Sequence, residues 1–122
     1  MAVVSPAEAA VSRSAKLRCA RHDVAAGVVR VSLSGDLDAS AVPDVDRVLR
    51  AAHDDAAFVV VDLDELAFVD GAGASVLRAA GALARREGRR VVAVNARPRV
   101  HDALALAGVE PELELIATPP PP

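Results

Sequence analysis

Acidic side chains are concentrated near the predicted strand ends of this chain, where they could hold a divalent cation. They are Asp36, Asp38, Asp62, Asp64, Glu65 and Asp70. Carboxylate oxygens are the ligands that Mg²⁺ prefers in proteins. The phosphoryl-accepting receiver domains use such a pocket with a lysine late in the chain, whereas Lys16 is the only lysine here and arginine is not an equivalent donor. The pattern therefore favours solvated loop acids and helix caps, and no metal site is expected.

A second candidate for chemistry is the turn Asp70-Gly71-Ala72-Gly73, which leads from a predicted strand into a predicted helix. Glycines at a helix start let backbone N–H groups approach an anion, and the helix dipole favours negative charge there. A dinucleotide fingerprint would need a third glycine where Val76 stands, and a P-loop would need Gly-Lys-Ser/Thr. The turn is therefore interpreted as a cap, with Asp70 capping the helix and the glycines relieving a tight turn.

No residue combination typical of an enzyme is found. Ser75 follows Ala74 and lacks the Gly-x that precedes a nucleophile-elbow serine, and the lone Cys19 is interpreted as an inert small hydrophobe. The histidines fall on three different predicted elements without metal-ligand spacing: His22, His53 and His101. We therefore expect a protein that is not an enzyme and carries no cofactor.

The composition of the chain excludes further classes of protein. At 122 residues the chain is one domain, and its net charge of −3 with scattered arginines gives no electrostatic footprint for nucleic acid. Aromatic residues are only 2% of the chain, so stacking platforms for single strands are missing. No apolar run approaches the roughly 20 residues of a membrane span, and no signal peptide is recognised. The single cysteine fits a reducing compartment, so a cytoplasmic protein is expected.

The elements that would position these residues alternate between strand and helix periodicity. Strands are predicted at 17–22 (an edge strand), 28–33, 58–62 (buried on both faces), 91–94 and 113–117. Helices are predicted after Ser40 as N-cap, from the Asp70 turn to about Glu87, and from Pro98. This order predicts an α/β domain with a mixed β-sheet and helices packed on it. The domain is assigned to residues 16–117, with a flexible arm at 1–15 and a proline tail at 118–122.

The motifs Gly35-Asp-Leu-Asp38 and Val59-Val-Val-Asp-Leu-Asp-Glu-Leu-Ala-Phe-Val-Asp70, followed by Gly73 and a helix, resemble the STAS family. The segment from Arg97-Pro-Arg-Val100 to Ala107-Gly-Val109 fits the same family. The resemblance implies a single-domain mixed sheet with packed helices. It also implies a protein-binding regulator, commonly an anti-sigma factor antagonist whose partner is an anti-sigma factor, often a serine kinase.

In regulated members of that family, the kinase phosphorylates a serine directly after the acid that corresponds to Asp70. Here that position is Gly71 and the next is Ala72, while Ser75 does not match the family site. The phosphorylation switch is therefore expected to be missing. The resemblance places the partner-binding surface at Asp38, Asp70, Gly71, Ala72, Gly73 and Ser75. The alternative is a small STAS subunit of an ABC-type transporter, and the oligomeric state stays open.

Overall fold

The computed structural model describes residues 10–13 and 16–116, which form a six-stranded sheet and three α-helices. The strands are β1 (Ala10–Arg13), β2 (Leu17–Ala25), β3 (Val28–Leu37), β4 (Phe58–Val69), β5 (Arg90–Val94) and β6 (Glu114–Ile116). The helices are α1 (Val42–Asp55), α2 (Gly71–Arg86) and α3 (Pro98–Leu106), and a single 3₁₀ turn (Ala39–Ala41) precedes α1. Among the described helices, none is both long and apolar enough to cross a membrane.

The strands lie in the sheet in their sequence order. β1, β2 and β3 are joined antiparallel, whereas β3, β4, β5 and β6 run parallel. Parallel neighbours need a crossover connection, and α1, α2 and α3 occupy the three crossovers in turn. The mixed α/β architecture expected from the sequence is therefore confirmed.

Helix α1 forms because its apolar residues recur at helical spacing and face the sheet. Val45, Leu49 and Ala52 are buried on this stripe, together with Val48 and His53. The outer face carries ion pairs one turn apart, which support a helix exposed to water. The expectation that Ser40 caps this helix is wrong: Ser40 lies inside the 3₁₀ turn, and α1 follows Ala41 without a side-chain cap bond.

Strand β4 is buried on one face only, contrary to the expectation of burial on both. Val59 and Val61 contribute to the core beneath the helices, whereas Val60 and Asp62 on the opposite face are only half-buried. That opposite face, shared with β2 and β3, is a polar groove of about 300 Å³. Val60 does not line this groove and is partly covered: its register partner Val92 in β5, on the same face, is 1% exposed.

The ends of the domain differ from the predicted boundaries. Residues 10–13, placed in the flexible arm, pair as a strand with β2, so β2 is an internal strand rather than an edge strand. The described part of the last strand is Glu114–Ile116. The rest of the arm (1–9, 14 and 15) and residues 117–122, including the proline tail, lie outside the described residues.

The one-sided burial of β4 gives a test with a matched control. Val61 is 0% exposed, so Val61→Ala removes two methyl groups from the core and should cost about 1–3 kcal/mol of unfolding free energy. Val60→Ala, one residue away on the half-buried face, should cost less than half of that. Urea unfolding of both variants measures the difference. Equal losses would mean that both faces of β4 are covered.

Candidate functional site

Two capping carboxylates are brought together by the register of the parallel strands β3 and β4. Leu37 pairs with Val69 at the carboxyl ends of these strands, so Asp38 and Asp70 directly follow the paired ends of two adjacent strands. The backbone N–H of Asp70 also donates to the carbonyl oxygen of Leu37, at 3.2 Å. In open α/β sheets, this carboxyl edge is where binding sites are commonly built.

Asp38 organises the turn that leaves β3. Its Oδ1 accepts hydrogen bonds from the backbone N–H of Ser40 at 3.0 Å and from the Ser40 hydroxyl at 2.5 Å. The ammonium group of Lys16 lies 3.7 Å from Oδ2. The Ser40 hydroxyl, more than the nearby Lys16 charge, lowers the pKa of Asp38 below its ordinary value. Asp38 is therefore a fixed, negatively charged group at neutral pH.

Asp70 caps α2, as expected from the sequence. Its backbone is extended, and its Oδ1 accepts the backbone N–H of Gly73 at 2.8 Å. This bond satisfies one of the donors that a helix start leaves free, and the carboxylate complements the positive end of the helix dipole. The first turn of α2 is held in a defined position relative to β4 by this bond.

The two glycines that follow Asp70 have different physical roles. Gly73 is buried, and a Cβ there would lie 2.5 Å from the carbonyl oxygen of Leu37 and 2.7 Å from its Cγ. Gly71 is exposed, with helical rather than left-handed backbone, and a Cβ there would meet nothing within 4 Å. Gly73 is therefore required by the close approach of α2 to β3, whereas position 71 has room for a side chain.

The remaining residues predicted for the partner surface are exposed beside these caps. Ala72 and Ser75 lie on the first two turns of α2 and face solvent, while Gly73 is covered by Leu37 and Val69. Five of the six predicted residues are thus accessible or partly accessible at one edge of the domain. Gly73 takes part by letting the helix approach the strand rather than by contacting a partner.

The other acids do not join this edge as a cation site. Asp62 accepts the backbone N–H of Asp64 at 3.0 Å and the side-chain amide of Asn95 at 3.2 Å. Asp64 and Glu65 line the polar groove on the open face of the sheet. No group of three or more metal-ligating side chains is found within residues 10–13 and 16–116.

Cys19 and His53, which carry potentially reactive side chains, are both buried in the fold. Cys19 is buried, and this burial raises the pKa of its thiol to about 11, so the thiolate is scarce at neutral pH. His53 is almost fully buried at the end of α1, where its Nε2 lies 2.8 Å from Oε1 of Glu87. The hydrogen bond from His53 lowers the pKa of Glu87. This pair links the ends of α1 and α2.

An exposed aromatic residue near the carboxyl end of β4 was missed by the sequence reasoning. Phe68 is 49% exposed and lies two residues before Asp70, with Asp36 as its partner on β3. The chain contains only two aromatic residues, so one of them left on the surface is unusual. The buried residues of β4 are all aliphatic, so the one aromatic residue near its carboxyl end was the signal that could have indicated a surface position.

A protein-family model described as "Mlab, STAS domain" matches residues 20–116. Because this match covers most of the chain, the chain belongs to the STAS domain family, and the resemblance noted in the sequence is confirmed. No curated protein sequence matches the chain.

Solved structures of similar fold include two kinds of protein. One kind is anti-sigma factor antagonists: a protein from Mycobacterium paratuberculosis has a TM-score of 0.71 and 23% identity over 88% of this chain and 91% of that one. Unphosphorylated SpoIIAA, known from Bacillus, has a TM-score of 0.68 and 19% identity over 80% and 87%. The other kind is the murine Solute Carrier 26 family member A9 anion transporter, with a TM-score of 0.61 and 19% identity over 71% of this chain and 15% of the transporter. At identities below 25%, these TM-scores show that the fold is shared and nothing further.

The contrast between the two glycines gives a test of the site geometry. Gly73→Ala should destabilise the domain by about 1–3 kcal/mol, because the new methyl group meets the backbone of Leu37. Gly71→Ala should leave stability unchanged or raise it slightly, since alanine is the better helix former. Thermal unfolding of both variants measures this difference. A Gly73→Ala protein as stable as wild type would contradict the close approach of α2 to β3.

Proposed function

We propose that this protein is an anti-sigma factor antagonist that binds an anti-sigma factor or serine-kinase-like protein in the cytoplasm. It does so through a surface at the start of α2, which we name the α2 entrance: Asp38, Phe68, Asp70, Gly71, Ala72 and Ser75. The observation that carries this proposal is the pairing of Leu37 with Val69, which places two capping carboxylates beside the exposed first turn of α2. The antagonists of similar fold support it.

The α2 entrance offers a partner both charge and apolar area. Asp38 and Asp70 are held in place by their capping bonds, so little side-chain freedom is lost when a partner docks. Phe68 supplies an exposed aromatic side chain, a type that is enriched in protein–protein interfaces relative to the rest of the surface. Ala72 and Gly71 leave the helix surface flat beside them.

We further propose that binding is constitutive with respect to phosphorylation at the position after Asp70. Gly71 carries no hydroxyl group, so no phosphate can be placed there. Its backbone conformation and open surroundings would accept a side chain, so the loss of the switch is a matter of residue identity rather than of altered local structure. The protein is proposed to act by binding alone, without catalysis.

A second candidate function is that of a small STAS subunit that docks on the ATPase of an ABC-type transporter. A domain of similar fold within the far larger murine anion transporter supports a role beside transport proteins. The same α2 entrance would serve, so the identity of the captured partner separates the two functions.

Affinity capture from the native host, with partners identified by mass spectrometry, tests the proposed function through position 71. Gly71→Glu should weaken binding of the captured partner by about 1–3 kcal/mol, because a new charge faces the contact. The melting temperature of this variant should be unchanged or slightly higher, since a negative side chain in the first turn of a helix interacts favourably with the helix dipole. Gly71→Ala is the matched control and should bind normally. Normal binding by Gly71→Glu would place the interface elsewhere.

Phe68 provides an independent test of the same surface. Phe68→Ala should weaken partner binding by about 1–3 kcal/mol if its ring is a buried anchor of the interface, with little change in melting temperature. Leu106, which is 90% exposed at the end of α3, supplies the control: Leu106→Ala should bind as wild type does. Calorimetric titration of both variants with the captured partner measures the difference. Equal affinities would remove Phe68 from the α2 entrance.

A further inference from the structure

A furrow runs between α1 and α2 beside the α2 entrance. Its volume is about 340 Å³, and its lining is partly apolar. Leu49 of α1, Leu83 of α2 and Val59 and Val91 of the sheet contribute the apolar lining. Ala79 and Ala82 also line it, so no large side chain of α2 fills the space at their positions. We name this feature the α1–α2 furrow.

The polar residues that line the furrow carry an excess of positive charge. Arg50 is matched by Asp46, at 2.9 Å. Arg78 and Arg86 form no ion pair with a carboxylate among the described residues. Glu112 is the remaining acid of the lining. Arg86 also acts at longer range on Glu87, which is already hydrogen-bonded to His53.

The spacing of the two arginines suits an approaching helix. Arg78 and Arg86 are eight residues apart on α2, which is about 12 Å along a helix and a little over two turns. A second helix that lies along α2 would present residues seven or eight apart at the same separation. Carboxylates on its flanks would then meet both guanidinium groups, while leucine-sized side chains enter the furrow between them.

We propose that the α1–α2 furrow binds an acidic amphipathic helix supplied by the partner protein. This proposal rests on the proposed function, since it assumes that a partner docks at the α2 entrance. Ser75 belongs to both the α2 entrance and the furrow, so the two surfaces are continuous and one partner can contact both. Apolar side chains of the partner helix contact Ala79, Ala82 and Leu83, which are exposed or half-buried, and its acidic flanks pair with Arg78 and Arg86. The entrance supplies the docking point, and the furrow supplies selectivity for an acidic helix.

Two synthetic peptides of about 18 residues, long enough to form a helix on binding, serve as probes. Both carry leucine at alternating three- and four-residue spacing, one with glutamate and the other with lysine on the flanks. The wild-type protein should bind the acidic peptide about tenfold or more tightly than the basic one. The double variant Arg78→Glu, Arg86→Glu should reverse this preference, and Arg99→Glu on α3 should not. NMR amide shifts should map to α1 and α2.

Absence of binding, equal binding of both peptides, or shifts confined to the open face of the sheet would each overturn the proposal. Ala82→Leu supplies a second measurement: it places a larger side chain in the furrow and should weaken the acidic peptide at least as much as the charge reversal does. Unchanged affinity in a folded Ala82→Leu protein would also overturn it. Since the peptides require no natural partner, failure here leaves the capture experiment on Gly71 to decide the proposed function.

Discussion

The parallel pairing of β3 with β4 is the constraint on which the candidate site depends. Leu37 takes part in this pairing in two ways. It is the register partner of Val69, and its carbonyl oxygen accepts a hydrogen bond from the backbone N–H of Asp70. The same carbonyl limits position 73 to glycine, because α2 passes directly over it. A shift of register would separate Asp38 from Asp70 and would move the first turn of α2 away from both.

Much of this arrangement could be predicted from the sequence, because it depends on local chemistry. Asp70 before two glycines and an apolar helical stripe predicts a capped helix, and the run of valines before it predicts a strand. Periodicity does not report which neighbours cover a residue, so the run of valines predicts burial on both faces although Val60 is only half-buried. The strand at residues 10–13 is only four residues long, too short for its pattern to be seen without its partner β2.

The site itself could be predicted only in part. Gly71 and Gly73 stand in one motif, and sequence cannot tell that one is open and the other pressed against Leu37. Phe68 is paired with Asp36 inside the sheet, so its exposure depends on how little of the rest of the fold covers it. The furrow depends on the distance between α1 and α2, and this distance cannot be predicted from the hydrophobic pattern of either helix alone. Contacts between elements, rather than propensities within them, decide these features.

We propose that partner binding is centred on the start of α2. Hydrogen–deuterium exchange of the protein, alone and bound to its captured partner, tests this most directly. Added protection is expected at the α2 entrance, around Phe68 and from Asp70 to Ser75, with the polar groove of the sheet unchanged. Protection confined to the polar groove of β2, β3 and β4, with none at the α2 entrance, would contradict it.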